Sequence, residues 1–464
     1  MRTGLFYFFV ISLHVLSVKA LYGQGDVTVL REALQKLQQT SGYEKADISF
    51  TMLDVKTGKP LLLYHAALPL APASTLKTIT TAAVLFTKSP DFHYTTRVGF
   101  QGQIQNKQGK GILIIHASGD PSLGSDRFPT TLPTLKRQQL MDGLHHLGMN
   151  SFTGNVVVQT AGLQHEKINS HWLDEDIANY YGAALHAFNW RENKMDITLA
   201  PDSNGFKIWP LPEEVRQPGW RFASEVTHQD SAGAENVYAY FSPGDSDRYV
   251  LRGTIDKHLG PQVIWLANRN PELSFLLEIK KWLRDDMQWE ETDDLPHGME
   301  KDVCRWESPD LKELVYACNQ KSINLYAEAF SFLLRQNDLK KSGEPDGLKK
   351  IITFIHTEAP GKDSVLLYDA CGLAPDNRIT TRLLATCLRQ DTRKTRYPEF
   401  YASLPLINAI HMKSGYIGGT RAYAGYHTLP SGQKVCFAFI LHGYTVTPRQ
   451  ARQDMFRILD SMKK

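Results

Sequence analysis

The stretch Ala71-Pro72-Ala73-Ser74-Thr75-Leu76-Lys77 decides the fold prediction for this chain. The apolar run Thr78–Phe86 follows it and predicts a helix. Residues three apart share one helix face, so the Ser74 hydroxyl is expected beside the Lys77 amine, a neighbour that activates a serine nucleophile. A serine at a helix N-terminus also lies where unpaired N–H groups favour developing negative charge. The stretch therefore indicates an acyl-transfer enzyme that forms a covalent intermediate on Ser74.

The four-residue S-x-x-K pattern is not specific by itself. It recurs at Ser431/Lys434, in an expected hairpin turn, and at Ser461/Lys464, on the last turn of the final helix. An ordinary amphipathic helix with a capping serine shows the same pattern. Partner residues elsewhere in the chain must therefore decide between the two interpretations.

Length and composition exclude several classes of protein. The chain has 464 residues, which favours two domains. Its net charge is +3 with 22% charged residues, and it has no long basic run, so nucleic acid is not an expected partner. No C-x-x-C, H-E-x-x-H or P-loop pattern occurs, so neither a metal nor a cofactor is predicted.

The N-terminus predicts export. Met1-Arg2 supplies a positive start, Leu5–Val18 is largely apolar, and Val18-Lys19-Ala20 ends in a cleavage pattern. We expect residues 1–20 to be a signal peptide and the mature protein to be periplasmic. No cysteine follows the cleavage site, which argues against a lipoprotein anchor. Peripheral membrane association and the oligomeric state stay open.

The cysteines do not form a disulfide framework. An odd, sparse set favours small buried residues, with one bridge, for instance from Cys304, as the alternative. The five are Cys304, Cys318, Cys371, Cys387 and Cys436.

Element patterns place α/β structure at both chain ends. A helix at 27–39 and strands at Asp47–Leu53 and Pro60–Tyr64 precede a β-rich middle, and Trp282–Met299 looks like a polar return linker. The later elements are helices at Leu311–Gln336, Leu348–Glu358 and Ile379–Arg389, strands at His411–Tyr416, Arg421–Leu429 and Lys434–Leu441, and a final helix at Pro448–Lys463.

This order predicts one α/β domain built from both ends, with an antiparallel sheet flanked by helices. The expected division is a signal peptide (1–20), the first part of that domain (21–92), an inserted β-rich region of two subdomains (93–300), and the second part (301–464).

Two further motifs follow in the chain. Ser322-Ile323-Asn324 is the only S-x-N, at an expected loop–helix junction, where a hydroxyl and an amide can face one cleft. A helix N-cap also explains Ser322 alone. K-[ST]-G occurs three times, but only Lys413-Ser414-Gly415 opens a strand, where the lysine is placed to hold a carboxylate. The other two are Lys56-Thr57-Gly58 and Lys341-Ser342-Gly343.

Together the three motifs resemble those of the serine β-lactamases and penicillin-binding proteins. Within that group the chain resembles the low-molecular-mass class C D-Ala-D-Ala carboxypeptidase/endopeptidases (DacB-like), because about half of the chain separates Lys77 from Ser322. Further matching stretches are Gly119–Leu123 (GDPSL), Trp172–Gly182 (WLDEDIANYYG), Ser322–Glu328 (SINLYAE), Asp369–Asn377 (DACGLAPDN) and Ala424–Tyr426 (AGY).

The resemblance implies the serine β-lactamase/DD-peptidase fold and a role for each motif residue. Ser74 would be the acylated nucleophile and a neutral Lys77 its general base. Ser322 would relay a proton to the leaving D-alanine, and Asn324 would hold Lys77 and the substrate. Lys413, Ser414, Gly415 and Tyr416 would bind substrate, with the amides of Ser74 and Tyr416 forming the oxyanion hole.

Peptidoglycan stem peptides would be the substrates and β-lactams the inhibitors. The alternatives are a serine β-lactamase on the same scaffold and a catalytically weak peptidoglycan-binding protein.

The chain departs from the family pattern at several positions. Ile323 replaces an acidic or amide residue, and Ser414 replaces threonine but keeps the hydroxyl. Gln159 stands where some relatives carry an acidic residue that contacts diaminopimelate, which puts endopeptidase activity in doubt. Ala370, Cys371 and Ala374 also replace family residues, and we interpret these three as packing changes.

Overall fold

The computed structural model describes residues 27–160, 168–209, 217–230, 236–335, 347–361 and 363–463. The predicted signal peptide and the tripeptide Lys341-Ser342-Gly343 lie outside these residues. The described backbone forms two compact units. The first is built from the described parts of Met1–Lys88, Val315–Ser322 and Phe330–Lys464, and the second from those of Ser89–Leu314 and Ile323–Ala329. The domain boundaries expected from the sequence stay predictions.

The described helices are α1 (27–38), α2 (Lys77–Thr87), α3 (Pro133–His146), α4 (Pro271–Met287), α5 (Leu311–Lys321), α6 (Asn324–Arg335), α7 (Gly347–Glu358), α8 (Thr381–Asp391), α9 (Tyr397–Ser403) and α10 (Pro448–Asp460). The described strands are β1 (Asp47–Asp54), β2 (Pro60–Tyr64), β3 (Thr95–Gln105), β4 (Gln108–His116), β5 (Ser151–Gln159), β6 (Lys194–Asp202), β7 (Gly205–Ile208), β8 (Arg221–Gln229), β9 (Asn236–Ser242), β10 (Asp245–Asp256), β11 (Gln262–Ala267), β12 (Glu300–Glu307), β13 (Leu406–Ile407), β14 (Ile410–Ile417), β15 (Thr420–Thr428) and β16 (Lys434–His442).

One antiparallel sheet organises the first unit, as predicted. Its strand order is β13-β14-β15-β16-β1-β2, so the early hairpin joins the late strands through the β1–β16 pair. Strands β1 and β16 are both buried along nearly their whole length, and β16 is a near-continuous apolar run, whereas β1 carries the buried polar residues Ser49 and Thr51. Phe50 lies opposite Phe439 in this register, and both are part of the core that α1 and α10 help to cover.

Two sheets organise the second unit. One has the order β12-β3-β4-β5 and the other β11-β6-β7-β8-β10-β9. Each has its own apolar cluster: Phe100, Trp190 and Trp306 belong to the first, and Ile197 and Tyr249 to the second.

The structure differs from the sequence prediction at several helices. The run Leu311–Gln336 is two helices, α5 and α6, because Ser322 adopts a left-handed backbone (φ 58°) that ends the first. The expected linker Trp282–Met299 begins inside α4, since Trp282, Leu283 and Met287 continue the buried face of that helix. Helix α3 was not predicted, because its sequence has only a weak apolar periodicity.

The five cysteines all lie in the described residues and none is in a disulfide. Four are buried and Cys304 is half-buried, which confirms that they are packing residues and contradicts a bridge from Cys304. None of the described helices has the length and apolar character needed to span a membrane.

Candidate active site

Ser74 lies in a short 3-10 turn, Ala73–Leu76, that leads directly into α2. Ala73 has a left-handed backbone (φ 46°), which turns the chain sharply just before the serine. Lys77, the first residue of α2, is fully buried, and Ser74 is half-buried. The Lys77 Nζ atom donates to the Ser74 Oγ at 2.9 Å. The predicted pairing of hydroxyl and amine is therefore present in the geometry.

A segment after α7 provides a second hydrogen-bond acceptor for the Lys77 amine. Lys77 Nζ also donates to the backbone carbonyl of Cys371 at 2.7 Å. The sequence indicates this segment, Asp369–Asn377, only through its resemblance to the family and predicts no catalytic role for it. The acceptor is a main-chain oxygen, and no side-chain motif reveals such an atom.

Lys413 and Ser322 form a second hydroxyl–amine pair in the first unit. Lys413 Nζ donates to Ser322 Oγ at 3.0 Å and to the Ser414 carbonyl at 2.9 Å. Burial, and after it the nearby amine of Lys77, lower the pKa of Lys413 to about 7, while Cys318 acts in the opposite direction. The left-handed backbone of Ser322 is uncommon for a non-glycine residue and typical of functional sites.

Strand β14 brings Lys413-Ser414-Gly415 against the Ser74 turn. A Cβ atom on Gly415 would lie 2.9 Å from the Ser74 amide nitrogen, so only glycine permits this approach. Tyr416 follows, 53% exposed, with the Arg421 guanidinium 4.8 Å from its ring centroid. The structure thus brings Ser74, Lys77, Ser322, Lys413, Ser414, Gly415 and Tyr416 into one unit.

One edge of β14 is open beside this turn. β15 pairs with the strand along its whole length, whereas β13 pairs only with Ile410 and His411. Within the described residues, β14 therefore has a strand neighbour on one side alone from Lys413 onward. An open edge offers unpaired backbone groups that can bind an extended peptide.

Asn324 belongs to the second unit. It is 8% exposed, begins α6, and donates from its Nδ2 to the Tyr181 carbonyl at 2.7 Å. Tyr181 lies in the predicted family stretch Trp172–Gly182. Gln159, also in this unit, ends β5 with an exposed side chain, and its carbonyl accepts from the Ala117 amide at 2.9 Å.

A family model and two curated relatives that match this chain are all described as D-Ala-D-Ala carboxypeptidases. A model of the D-Ala-D-Ala carboxypeptidase 3 (S13) family matches residues 30–462. The D-alanyl-D-alanine carboxypeptidase DacB of Haemophilus influenzae is 21% identical over 424 residues, covering 87% of this chain and 86% of the relative. A D-alanyl-D-alanine carboxypeptidase of Actinomadura sp. (strain R39) is 19% identical and covers 93% of this chain and 84% of the relative.

Solved structures confirm the fold class. The crystal structure of penicillin binding protein 4 (dacB) from Haemophilus influenzae has a TM-score of 0.73 at 18% identity, covering 94% of this chain and 99% of the other. The same protein in complex with a β-lactam has a TM-score of 0.69 at 18% identity, with the same coverage. With the family model matching almost the whole chain, this protein belongs to the D-Ala-D-Ala carboxypeptidase 3 (S13) family of serine DD-peptidases.

Proposed function

We propose that this protein hydrolyses the D-Ala-D-Ala bond of peptidoglycan stem peptides through an acyl intermediate on Ser74. The same chemistry would cleave D-Ala-diaminopimelate cross-links. The observation that carries the proposal is the 2.9 Å contact between the Lys77 amine and the Ser74 hydroxyl. A general base must lie within hydrogen-bond reach of the proton that it removes, and this pair does.

In the first half-reaction, Ser74 Oγ forms a bond to the penultimate D-alanyl carbonyl carbon while the Lys77 amine accepts the hydroxyl proton. The bond from that carbon to the terminal D-alanine nitrogen then breaks. The proton taken by Lys77 reaches the departing amine through Ser322 Oγ, which ends the step as a hydroxyl again and lies 3.0 Å from Lys413 Nζ.

The developing negative charge on the carbonyl oxygen needs donors that are already in place. We assign this role to the backbone amides of Ser74 and Tyr416. The close packing of Gly415 on the Ser74 amide supports the assignment, because it fixes this part of β14 next to the turn. The substrate backbone would lie along the open edge of β14.

Lys413 would bind the terminal carboxylate of the substrate together with Ser414. The pKa of this buried amine is about 7. An incoming carboxylate favours the ammonium form of the amine, because a nearby negative charge stabilises the positive one. Departure of D-alanine would remove this charge from the site. Water then attacks the acyl-Ser74 carbonyl, the ester bond breaks, and the Ser74 hydroxyl is restored.

We further propose that β-lactams acylate Ser74 as substrate mimics and that the enzyme acts in the periplasm. The β-lactam complex of the Haemophilus protein supports the first point, since that protein has the same fold. The predicted signal peptide at residues 1–20 supports the second, because peptidoglycan is an extracytoplasmic substrate.

Release of D-alanine from a tripeptide that ends in D-Ala-D-Ala tests the proposed activity. We expect release by the wild type and none above background by Ser74→Ala. Equal release by both proteins, or none by the wild type, would contradict the proposal. A fluorescent penicillin distinguishes the β-lactamase alternative, which predicts rapid loss of the label, whereas a DD-peptidase keeps it.

A further inference from the structure

The carboxylate of Asp369 organises the segment that contacts Lys77. The side chain is fully buried. One of its oxygens accepts from the Gly372 amide at 2.7 Å and from Asn377 Nδ2 at 2.8 Å, and the other accepts from the Ala374 amide at 2.6 Å. Asn377 in turn accepts from the Tyr368 amide at 2.8 Å. One carboxylate thus fixes the path of the backbone from 368 to 377.

The carbonyl groups of this segment meet one face of α2. Thr80 Oγ1 donates to the Ala370 carbonyl at 2.6 Å, and Lys77 Nζ donates to the Cys371 carbonyl at 2.7 Å. Lys77 and Thr80 are three residues apart and share a helix face. The segment is therefore attached to the same turn of α2 that presents the lysine amine.

Gly372 places the segment directly behind the nucleophile turn. Its backbone is left-handed (φ 84°), and a Cβ atom there would lie 1.9 Å from the Ala73 carbonyl oxygen. No other residue fits without moving one of the two backbones. The segment consequently contacts both the residue before Ser74 and the amine that activates it.

We propose that Asp369 is a positioning residue that acts through Lys77. By holding the Cys371 carbonyl in place, it directs the Lys77 amine at the Ser74 hydroxyl. This inference rests on the proposed function, in which Lys77 is the general base. It also explains why the chain can depart from the family pattern at Ala370, Cys371 and Ala374. These residues take part through main-chain atoms, which a change of side chain does not remove.

A double-mutant cycle with Asp369→Asn and Lys77→Ala tests the inference, with the acylation rate constant for a penicillin as the readout. The asparagine keeps the size of the side chain, but its NH₂ group must face an N–H donor whichever way the amide turns. We expect Asp369→Asn to slow acylation by ~10- to 100-fold, as small misplacements of a catalytic group do, with little change in the dissociation constant of the non-covalent complex. In the Lys77→Ala background the same change should slow acylation by less than about 2-fold.

Equal slowing in both backgrounds, or no slowing in either, would overturn the inference. Asp391→Asn is the matched control, because Asp391 is an equally buried carboxylate of the first unit but belongs to α8. It should leave the acylation rate constant unchanged. Should Asp369→Asn fail to fold by circular dichroism, Asn377→Ala replaces it in the cycle, since it removes one side-chain donor to Asp369 and leaves the backbone donors of Gly372 and Ala374 in place.

These outcomes separate the inference from the proposed function. A wild type that penicillin does not acylate would contradict the proposed function and this inference with it. A wild type that is acylated, alongside an Asp369→Asn variant that is acylated equally fast, would contradict this inference alone.

Discussion

At the scale of single residues, two buried lysines of the first unit have different hydrogen-bond partners. Lys77 contacts the Ser74 hydroxyl and a main-chain carbonyl, whereas Lys413 contacts the Ser322 hydroxyl. This arrangement suits one lysine for proton transfer and the other for an anionic group of the substrate.

Replacing Lys77 by alanine removes the proposed base and leaves the oxyanion donors. We expect the penicillin acylation rate constant of Lys77→Ala to fall by roughly 10²- to 10⁴-fold, the range typical of a lost general base. Stopped-flow measurement of acylation checks this. Lys434→Ala is the control, because Lys434 belongs to another S-x-x-K pattern but is exposed, and it should acylate normally. Near-normal acylation of Lys77→Ala would reject the assigned base.

The pKa of Lys413 predicts how substrate binding depends on pH. Below about 7 the amine is charged and attracts the terminal carboxylate, and above that pH it loses its charge. In a Ser74→Ala background, where binding is measured without acylation, affinity for a D-Ala-D-Ala peptide should fall as the pH rises from 7 to 9. Adding Lys413→Ala should abolish this fall and weaken binding at pH 6 by roughly 10- to 100-fold.

Calorimetric titration at several pH values provides the measurement. Lys56→Ala is the matched control, since Lys56 begins another K-[ST]-G tripeptide in the exposed turn between β1 and β2. Its affinity and pH dependence should equal those of the Ser74→Ala parent. A pH-independent affinity in that parent would contradict the assignment of Lys413 to the carboxylate site.

At the scale of secondary-structure elements, β14 can approach the Ser74 turn closely because Gly415 has no side chain. Gly415→Ala places a Cβ atom 2.9 Å from the Ser74 amide, so β14 or the turn must shift. We expect acylation to slow by at least ~10-fold, because the oxyanion donors are displaced. Gly418→Ala lies on the same hairpin with nothing within 4 Å of the new atom, and it should acylate like the wild type. Similar rates for both variants would show that this close packing is unimportant.

The sequence predicts the elements of the first sheet well and some of the others poorly. Strands β1, β2 and β14 to β16 have strong apolar patterns, and the Ser74 turn is marked by Pro72. The S-x-N motif predicts the loop–helix junction at Ser322, which the start of α6 at Asn324 confirms, whereas the apolar pattern that continues from Leu311 does not show the break. The role of the Asp369 segment is hidden for a different reason, since it acts through backbone carbonyls that only the folded chain brings to Lys77.

At the scale of the whole molecule, each unit has its own buried polar centre. In the second unit, Glu192 is 5% exposed and accepts from Ser125, Arg127 and Tyr326. It is the middle of three consecutive residues with left-handed backbone, from Arg191 to Asn193. Such strain persists only where surrounding contacts hold it, which gives Glu192 a structural role.

Glu192→Ala should destabilise the protein strongly, because it leaves the Arg127 guanidinium without its carboxylate partner. We expect a loss of about 3 kcal/mol in the free energy of unfolding, measured by urea denaturation. Glu225→Ala is the control in the same unit, since its ion pair with Arg252 is more than half exposed and should contribute less than ~1 kcal/mol. Equal losses for the two variants would contradict this role of Glu192.

The central claim is that Ser74 carries the acyl group, and peptide mapping of a penicillin adduct tests it most directly. The protein is incubated with penicillin, digested, and analysed by tandem mass spectrometry. We predict a mass increase of one intact penicillin molecule, located on Ser74 and absent from Ser74→Ala. An adduct on another residue, or an unmodified Ser74 peptide from the wild type, would contradict the assignment of Ser74 as the nucleophile.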